Sequence, residues 1–178
     1  GRITGQWEPK YINSPASKIY DKSAILYGLY DARNTVTKED SIIITEWYMD
    51  TIALHEAGFT NTVAVSGTAL TEKHIGIIKR LTRKIYLCFD NDKAWEAATK
   101  SSLEILKNKD LEVRIVVLKW GKDPDEIIKK GKDFSELLQA AISPIAFYIQ
   151  TSKVNTESLD EKKKFLWEIL WIIKSYSD

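Results

Sequence analysis

Cysteine is nearly missing from this chain: among 178 residues there is only Cys88. One thiol excludes an intramolecular disulfide framework and any cysteine-rich zinc site within these residues. Long apolar runs are missing too, and no stretch approaches the roughly 18 consecutive apolar residues of a membrane span. The opening residues, "GRITGQWEPK", lack the apolar centre of a signal peptide. A cytoplasmic location with no membrane partner is therefore expected. The chain also lacks an initiator Met, as a piece excised from a longer protein would. Neither sign of charge is in excess: 26 Lys and Arg stand against 25 Asp and Glu, a net charge of +1. That balance selects no partner class, because a basic patch and an acidic pocket could cancel. What is present is a 44% hydrophobic composition, ample for the core of one globular domain with a small appendage.

Along the chain, short apolar runs alternate with amphipathic stretches. "SIIIT" (41–45), "NTVAVSG" (61–67), "KIYLCF" (84–89) and "LEVRIVVL" (111–118) read as strands. Between them, residues 51–59 read as a helix closed by Gly58, and 71–83 as a helix capped by Thr71. Residues 93–109 form an amphipathic pattern, and 124–130 begin a helix with proline in its first turn. This alternation predicts an α/β fold with a parallel sheet flanked by helices. After residue 140, "SPIAFYIQTS" and "SLDEKKKFLWEILWIIKSYS" predict two C-terminal helices, opened by Pro144 and by an N-cap at Ser158.

Acidic residues recur where these strands end. Glu46 and Asp50 follow the first, Asp90 and Asp92 the third, and Asp123 and Asp125 the fourth. In a parallel sheet all strands point one way and ligands bind beyond their carboxyl ends, so three strands would deliver six carboxylates to one edge. Residues two apart in an extended segment project to the same side, which lets Asp90 and Asp92 face a common ion. Asp50, one turn into a helix starting near Glu46, could reach the same pocket. Two like charges about 4 Å apart repel by about 4 kcal/mol at an effective dielectric near 20. Divalent cations relieve that repulsion. A ligand set of oxygens only, with no histidine or cysteine, favours Mg²⁺ or Mn²⁺ over Zn²⁺. Two such ions could activate a 3′-hydroxyl and steady a leaving pyrophosphate in phosphoryl transfer.

The motifs "TEWYMD" (45–50), "CFDNDKA" (88–94) and "GKDPDE" (121–126) resemble the TOPRIM domain, the Rossmann-like metal-binding fold of primases and topoisomerases. With "EPKYINSP" (8–15), "LYGLYDAR" (26–33) and "AGFTNTVAVSGTALTEKHI" (57–75), the series is similar to bacterial replicative primases of the DnaG type. The resemblance implies a DNA-directed RNA polymerase that joins ribonucleoside triphosphates into short primers on a single-stranded DNA template, beside a replicative helicase. It implies that Glu46, Asp90 and Asp92 are catalytic, with Glu46 assisting proton transfer or binding metal. It further implies that Glu46, Asp50, Asp90, Asp92, Asp123 and Asp125 hold Mg²⁺ or Mn²⁺, and that Arg2, Lys10 and Asn13 contact nucleotide or template. The family's zinc-binding and helicase-binding domains are not among these residues, so no zinc is expected here. The alternatives are a TOPRIM topoisomerase or nuclease fragment, or a non-catalytic TOPRIM module.

The expected organisation is a remnant of the primase N-terminal subdomain with a connecting helix (1–38), the TOPRIM domain (39–142) and a C-terminal helical segment (143–178). Two positions depart from the family pattern. Where the family usually has glycine, after the glutamate and after the "DxDxA" aspartates, this chain has Trp47 and Trp95. A stop codon reassigned to glycine but read as tryptophan would have this effect. Indoles there are expected to border the acidic pocket, or to strain a backbone that needs positive φ. His55 and His74 read as surface or packing residues, "KRLTRK" (79–84) as a solvated helix face, and Trp167 with Trp171 as packing between helices.

Overall fold

The computed structural model describes residues 17, 21–152 and 158–176. Its core is a four-stranded sheet in the order β2-β1-β3-β4, formed by β1 (Ile42–Thr45), β2 (Thr62–Ala64), β3 (Lys84–Cys88) and β4 (Glu112–Ile115). Each neighbouring pair of these strands is parallel. The central β1 has all four residues buried, which explains why "IIIT" shows no polar alternation: both faces of a parallel sheet are covered by helices.

The two faces separate by residue parity. Ile42 and Ile44 join a core layer with Ile85, Leu87, Val113 and Ile115. Ile43 and Cys88 face the opposite layer, with Leu54, Ile127, Phe134 and Leu137. Helices α1 (Leu29–Glu39), α3 (Glu72–Ile78), α4 (Trp95–Leu106) and α7 (Pro144–Thr151) supply apolar residues to the first layer. Helices α2 (Tyr48–Glu56), α5 (Pro124–Lys129) and α6 (Phe134–Gln139) supply the second. The last helix, α8 (Leu159–Tyr176), follows α7. Neither C-terminal helix stands apart. Phe147 is fully buried in the first layer, Ile142 and Ile115 exchange backbone hydrogen bonds, and the Tyr176 hydroxyl donates to the Leu103 carbonyl.

Several local expectations hold for their stated reasons. The Thr71 hydroxyl accepts the His74 N–H to cap α3, and Ser158 accepts the Glu161 N–H at the start of α8. Pro124 occupies the first turn of α5, where no intrahelical donor is needed. Other expectations need correction. The second helix starts at Tyr48 instead of residue 51, and α3 ends at Ile78, short of residue 83. Helix α6, only six residues long, has too few turns to show a periodic pattern.

His74 is fully buried, its Nε2 lying 3.1 Å from the Lys22 carbonyl, so it packs the segment before α1 against α3. The expected packing of α8 through its tryptophans is only half present. Lys107 places its ammonium 3.6 Å from the centre of the Trp171 ring, whereas Trp167 is 73% exposed. At "KRLTRK", Arg83 pairs with Asp110 and Lys84 with Glu112. Lys84 opens β3, so these charges lie at the end of the sheet opposite the acidic residues.

Candidate metal centre

The strand order places the acids. From β1 the chain crosses to β2 on one side, then returns through α3 to β3 on the other side of β1. The order therefore reverses between β1 and β3, and the carboxyl ends flanking that point form the crevice where open α/β sheets bind ligands. Glu46 follows β1 there, and Asp90 and Asp92 follow β3. Register makes them neighbours. Thr45 pairs with Cys88, and just beyond the ladder the Asp90 N–H donates to Glu46 Oε1 at 3.2 Å.

Asp50 enters from the first turn of α2 and is only 3% exposed. The Asp125 N–H lies 3.5 Å from Asp50 Oδ1, which joins the start of α5 to the same crevice. Burial and then the charge of Asp123 raise the Asp50 carboxyl to about 6. Burial raises Asp90 to about 7, reinforced by the charges of Asp50, Glu46, Asp123 and Asp92. Glu46 is raised as well, again first by burial. Burial thus hinders ionisation of three carboxyls on three elements, and neighbouring acids add to it. In addition, Asp90 Oδ1 is buried without a hydrogen-bond partner among the described residues.

The outer three acids are differently engaged. Asp92 Oδ1 accepts the Ala94 N–H at 2.7 Å. Asp123 caps α5 by accepting the Glu126 N–H at 2.8 Å, and Asp125 pairs with Lys129 one turn on. Among the described residues, no three His, Cys, Asp or Glu side chains converge closely enough to hold one ion as they stand. The donor set nevertheless fits a hard divalent cation: its ligands are oxygens, its inner members repel, and one buried oxygen lacks a partner. Arg2, Lys10 and Asn13 lie outside the described residues.

Residues 43–128 match the Toprim-like family model, and residues 1–33 match the N-terminal domain of the DNA primase catalytic core. The chain is 44% identical over 144 residues to the DNA primase of Campylobacter jejuni, an alignment covering 79% of this chain and 24% of that protein. The chain belongs to the bacterial DnaG-type primases. Among solved structures, a DNA primase domain from Pseudomonas aeruginosa superposes with a TM-score of 0.85 at 32% identity, covering 98% of this chain and 57% of that one. A DnaG primase catalytic domain bound to single-stranded DNA gives a TM-score of 0.83 at 30% identity, covering 98% and 59%. The chain thus spans about a quarter of the curated relative and somewhat over half of each solved domain. TOPRIM domains are generally metal-binding.

The backbone at the two tryptophans differs from expectation. Trp47 is the N-cap of α2 with φ −123°, and Trp95 opens α4. At Trp47 the backbone is extended, which any residue adopts, and Trp95 is helical, so the expected backbone strain is absent at both. Trp95 meets Phe147 edge-on at 5.3 Å, within the first core layer. The Trp47 indole lies against Gly67, in the loop after β2; a Cβ on Gly67 would come within 2.5 Å of the indole. That glycine, at φ +69°, permits both the turn and the close approach.

Sequence reasoning passed over Asn91. Its backbone N–H donates to the Lys122 carbonyl at 2.6 Å, and its side-chain amide donates to the Leu118 carbonyl at 3.2 Å. An amide at the centre of the "DND" turn was the available signal, since the side chain there can donate to a neighbouring loop.

Proposed function

We propose that the chain carries the nucleotidyl-transfer centre of a DNA primase, which synthesises short RNA primers on single-stranded DNA. The observation that carries this reading is the meeting of Glu46 and Asp90 at the strand-order switch point, with Asp90 Oδ1 buried and unpartnered. Relatives named DNA primase support it, as does the solved DnaG catalytic domain with bound single-stranded DNA.

Glu46, Asp50, Asp90, Asp92, Asp123 and Asp125 would hold Mg²⁺ or Mn²⁺. When bound, two such ions lower the pKa of the attacking 3′-hydroxyl and neutralise charge on the leaving pyrophosphate. The protein's share is positioning. The Asp90 N–H fixes Glu46 beside the crevice, and Asp50 ties α2 to the start of α5. Glu46 is assigned to the reaction itself, as proton acceptor for the hydroxyl or as a metal ligand; Asp90 and Asp92 complete the catalytic set. Arg2, Lys10 and Asn13 are assigned to nucleotide and template. In the whole protein the partners are template DNA, ribonucleoside triphosphates and a replicative helicase, in the cytoplasm.

The test is primer synthesis on single-stranded DNA with ribonucleoside triphosphates and Mg²⁺, in the full-length primase that contains this chain. Glu46→Gln is expected to lower the rate by about 10²–10⁴-fold, the usual contribution of one positioned acid–base group. An unchanged rate would overturn the assignment.

A further inference from the structure

The β3–β4 ladder ends before the acids begin. Its last register pair is Leu87 with Ile115, and the Val116 N–H makes the final backbone bond to the Leu87 carbonyl. Asp90 and Asp92 lie beyond that point on one strand, and Asp123 and Asp125 lie farther along the other chain. Sheet pairing therefore does not set the spacing between these two acidic segments. Asn91 bridges the gap. Between the two aspartates of its own segment, it donates its backbone N–H to Lys122 O and its side-chain amide to Leu118 O.

The receiving loop is itself held against α5. Glu126 Oε2 accepts the Lys122 N–H at 2.8 Å, while Asp123 accepts the Glu126 N–H, so Glu126 is bonded both to the cap and to the loop residue before it. Lys130 donates to the Trp120 carbonyl at 3.0 Å. Gly121 has no room for a side chain, since a Cβ there would lie 2.9 Å from Ile127 Cγ1. A contact made by Asn91 is thus transmitted to the α5 turn that carries Asp123 and Asp125.

We propose that Asn91 is a positioning residue that fixes the distance between the Asp90–Asp92 and Asp123–Asp125 segments, so that two divalent ions bind at the spacing nucleotidyl transfer needs. The role rests on the metal-centre reading above. Two-ion sites hold their metals about 3.5–4 Å apart, and ligands on separate loops keep such a spacing only if the loops move together. The chemistry suits an amide. Asn91 donates to a carbonyl and adds no charge beside six carboxylates; aspartate of the same shape would lose the donor and add repulsion.

The experiment is calorimetric Mn²⁺ titration of the chain, with electron paramagnetic resonance to detect coupling between two bound Mn²⁺ ions. It compares the unsubstituted protein with Asn91→Ala and Asn91→Asp. Both variants keep the backbone bond to Lys122, and thermal unfolding checks that they fold. The unsubstituted chain is expected to bind two coupled ions. Asn91→Ala should weaken the second ion by about tenfold or more, as loss of an outer-shell partner commonly does, and abolish the coupling; Asn91→Asp should do the same. A fall in Tm with unchanged isotherms and coupling would show a merely structural contact and overturn the proposal. Absence of Mn²⁺ binding by the unsubstituted chain would overturn the metal-centre reading and the role of Asn91 with it.

Discussion

Asp90 combines a carboxyl raised to about 7 with a buried oxygen that no described residue satisfies. For an acid raised from 3.8, the stabilising contribution is fully present below about pH 4 and is lost as pH rises through about 7. Without divalent ions, Asp90→Asn is therefore expected to match the parent near pH 4 and exceed it at pH 8. The gain is about 1 kcal/mol once the partly exposed carboxylate is discounted for solvent screening. That corresponds to about 2–4 °C in Tm for a chain of this size. Thermal unfolding with EDTA at the two pH values measures it, and saturating Mn²⁺ should reverse the order at pH 8. Trp95 makes a different prediction. Its edge-on contact with Phe147 places it in the core layer, so Trp95→Gly should cost about 2–4 kcal/mol through lost packing and a glycine in the first helical turn. It should not improve nucleotide binding; a gain in nucleotide affinity measured by fluorescence titration would show instead that the indole borders the acidic pocket and obstructs it. For Trp47 and Trp95 together, the intact mass of the natural protein decides between tryptophan and a reassigned glycine.

At the scale of elements, capping offers a control that separates fold from site. Ser143 caps α7 by accepting the Ala146 N–H, while Asp123 caps α5 and also belongs to the acidic set. Ser143→Ala and Asp123→Ala should each cost about 1 kcal/mol in stability. Only Asp123→Ala should also weaken Mn²⁺ binding in a titration. Comparable metal binding in both variants would remove Asp123 from the ligand set.

The same elements show what the residues alone could reveal. Strand β1 was legible because β-branched residues fill it from end to end, as burial on both faces demands, and β3 because apolar and aromatic residues follow Lys84 without a break. The acidic edge was legible because parallel strands put their carboxyl ends together. The start of α2 was not, since Trp47 and Tyr48 give no capping signal. The contact of Asn91 with Leu118 and Lys122 was not either, because it joins two loops 27 and 31 positions apart that only the β3–β4 pairing brings together.

Across the described residues, basic side chains are paired with acidic ones at both ends of the sheet, with Lys122, Lys129 and Lys130 beside Asp123, Asp125 and Glu126 at the acidic edge. Arg83 and Lys84 sit at the amino end of the sheet, paired with Asp110 and Glu112, while the carboxyl end gathers the acids. Binding of single-stranded DNA by these 178 residues is accordingly expected to be weak and to fall steeply with salt, because affinity for nucleic acid grows with the number of neutralised phosphates. Fluorescence anisotropy across a salt series measures this, and tight binding at physiological salt would place an effective basic surface elsewhere on the chain. The central claim, that the switch-point acids form a divalent-metal centre, is tested most directly by calorimetric Mn²⁺ titration at pH 8 of the unsubstituted chain, Asp90→Asn and Asp92→Asn. The account predicts binding by the unsubstituted chain, with at least one site lost in each variant. The same isotherm for all three proteins would contradict it.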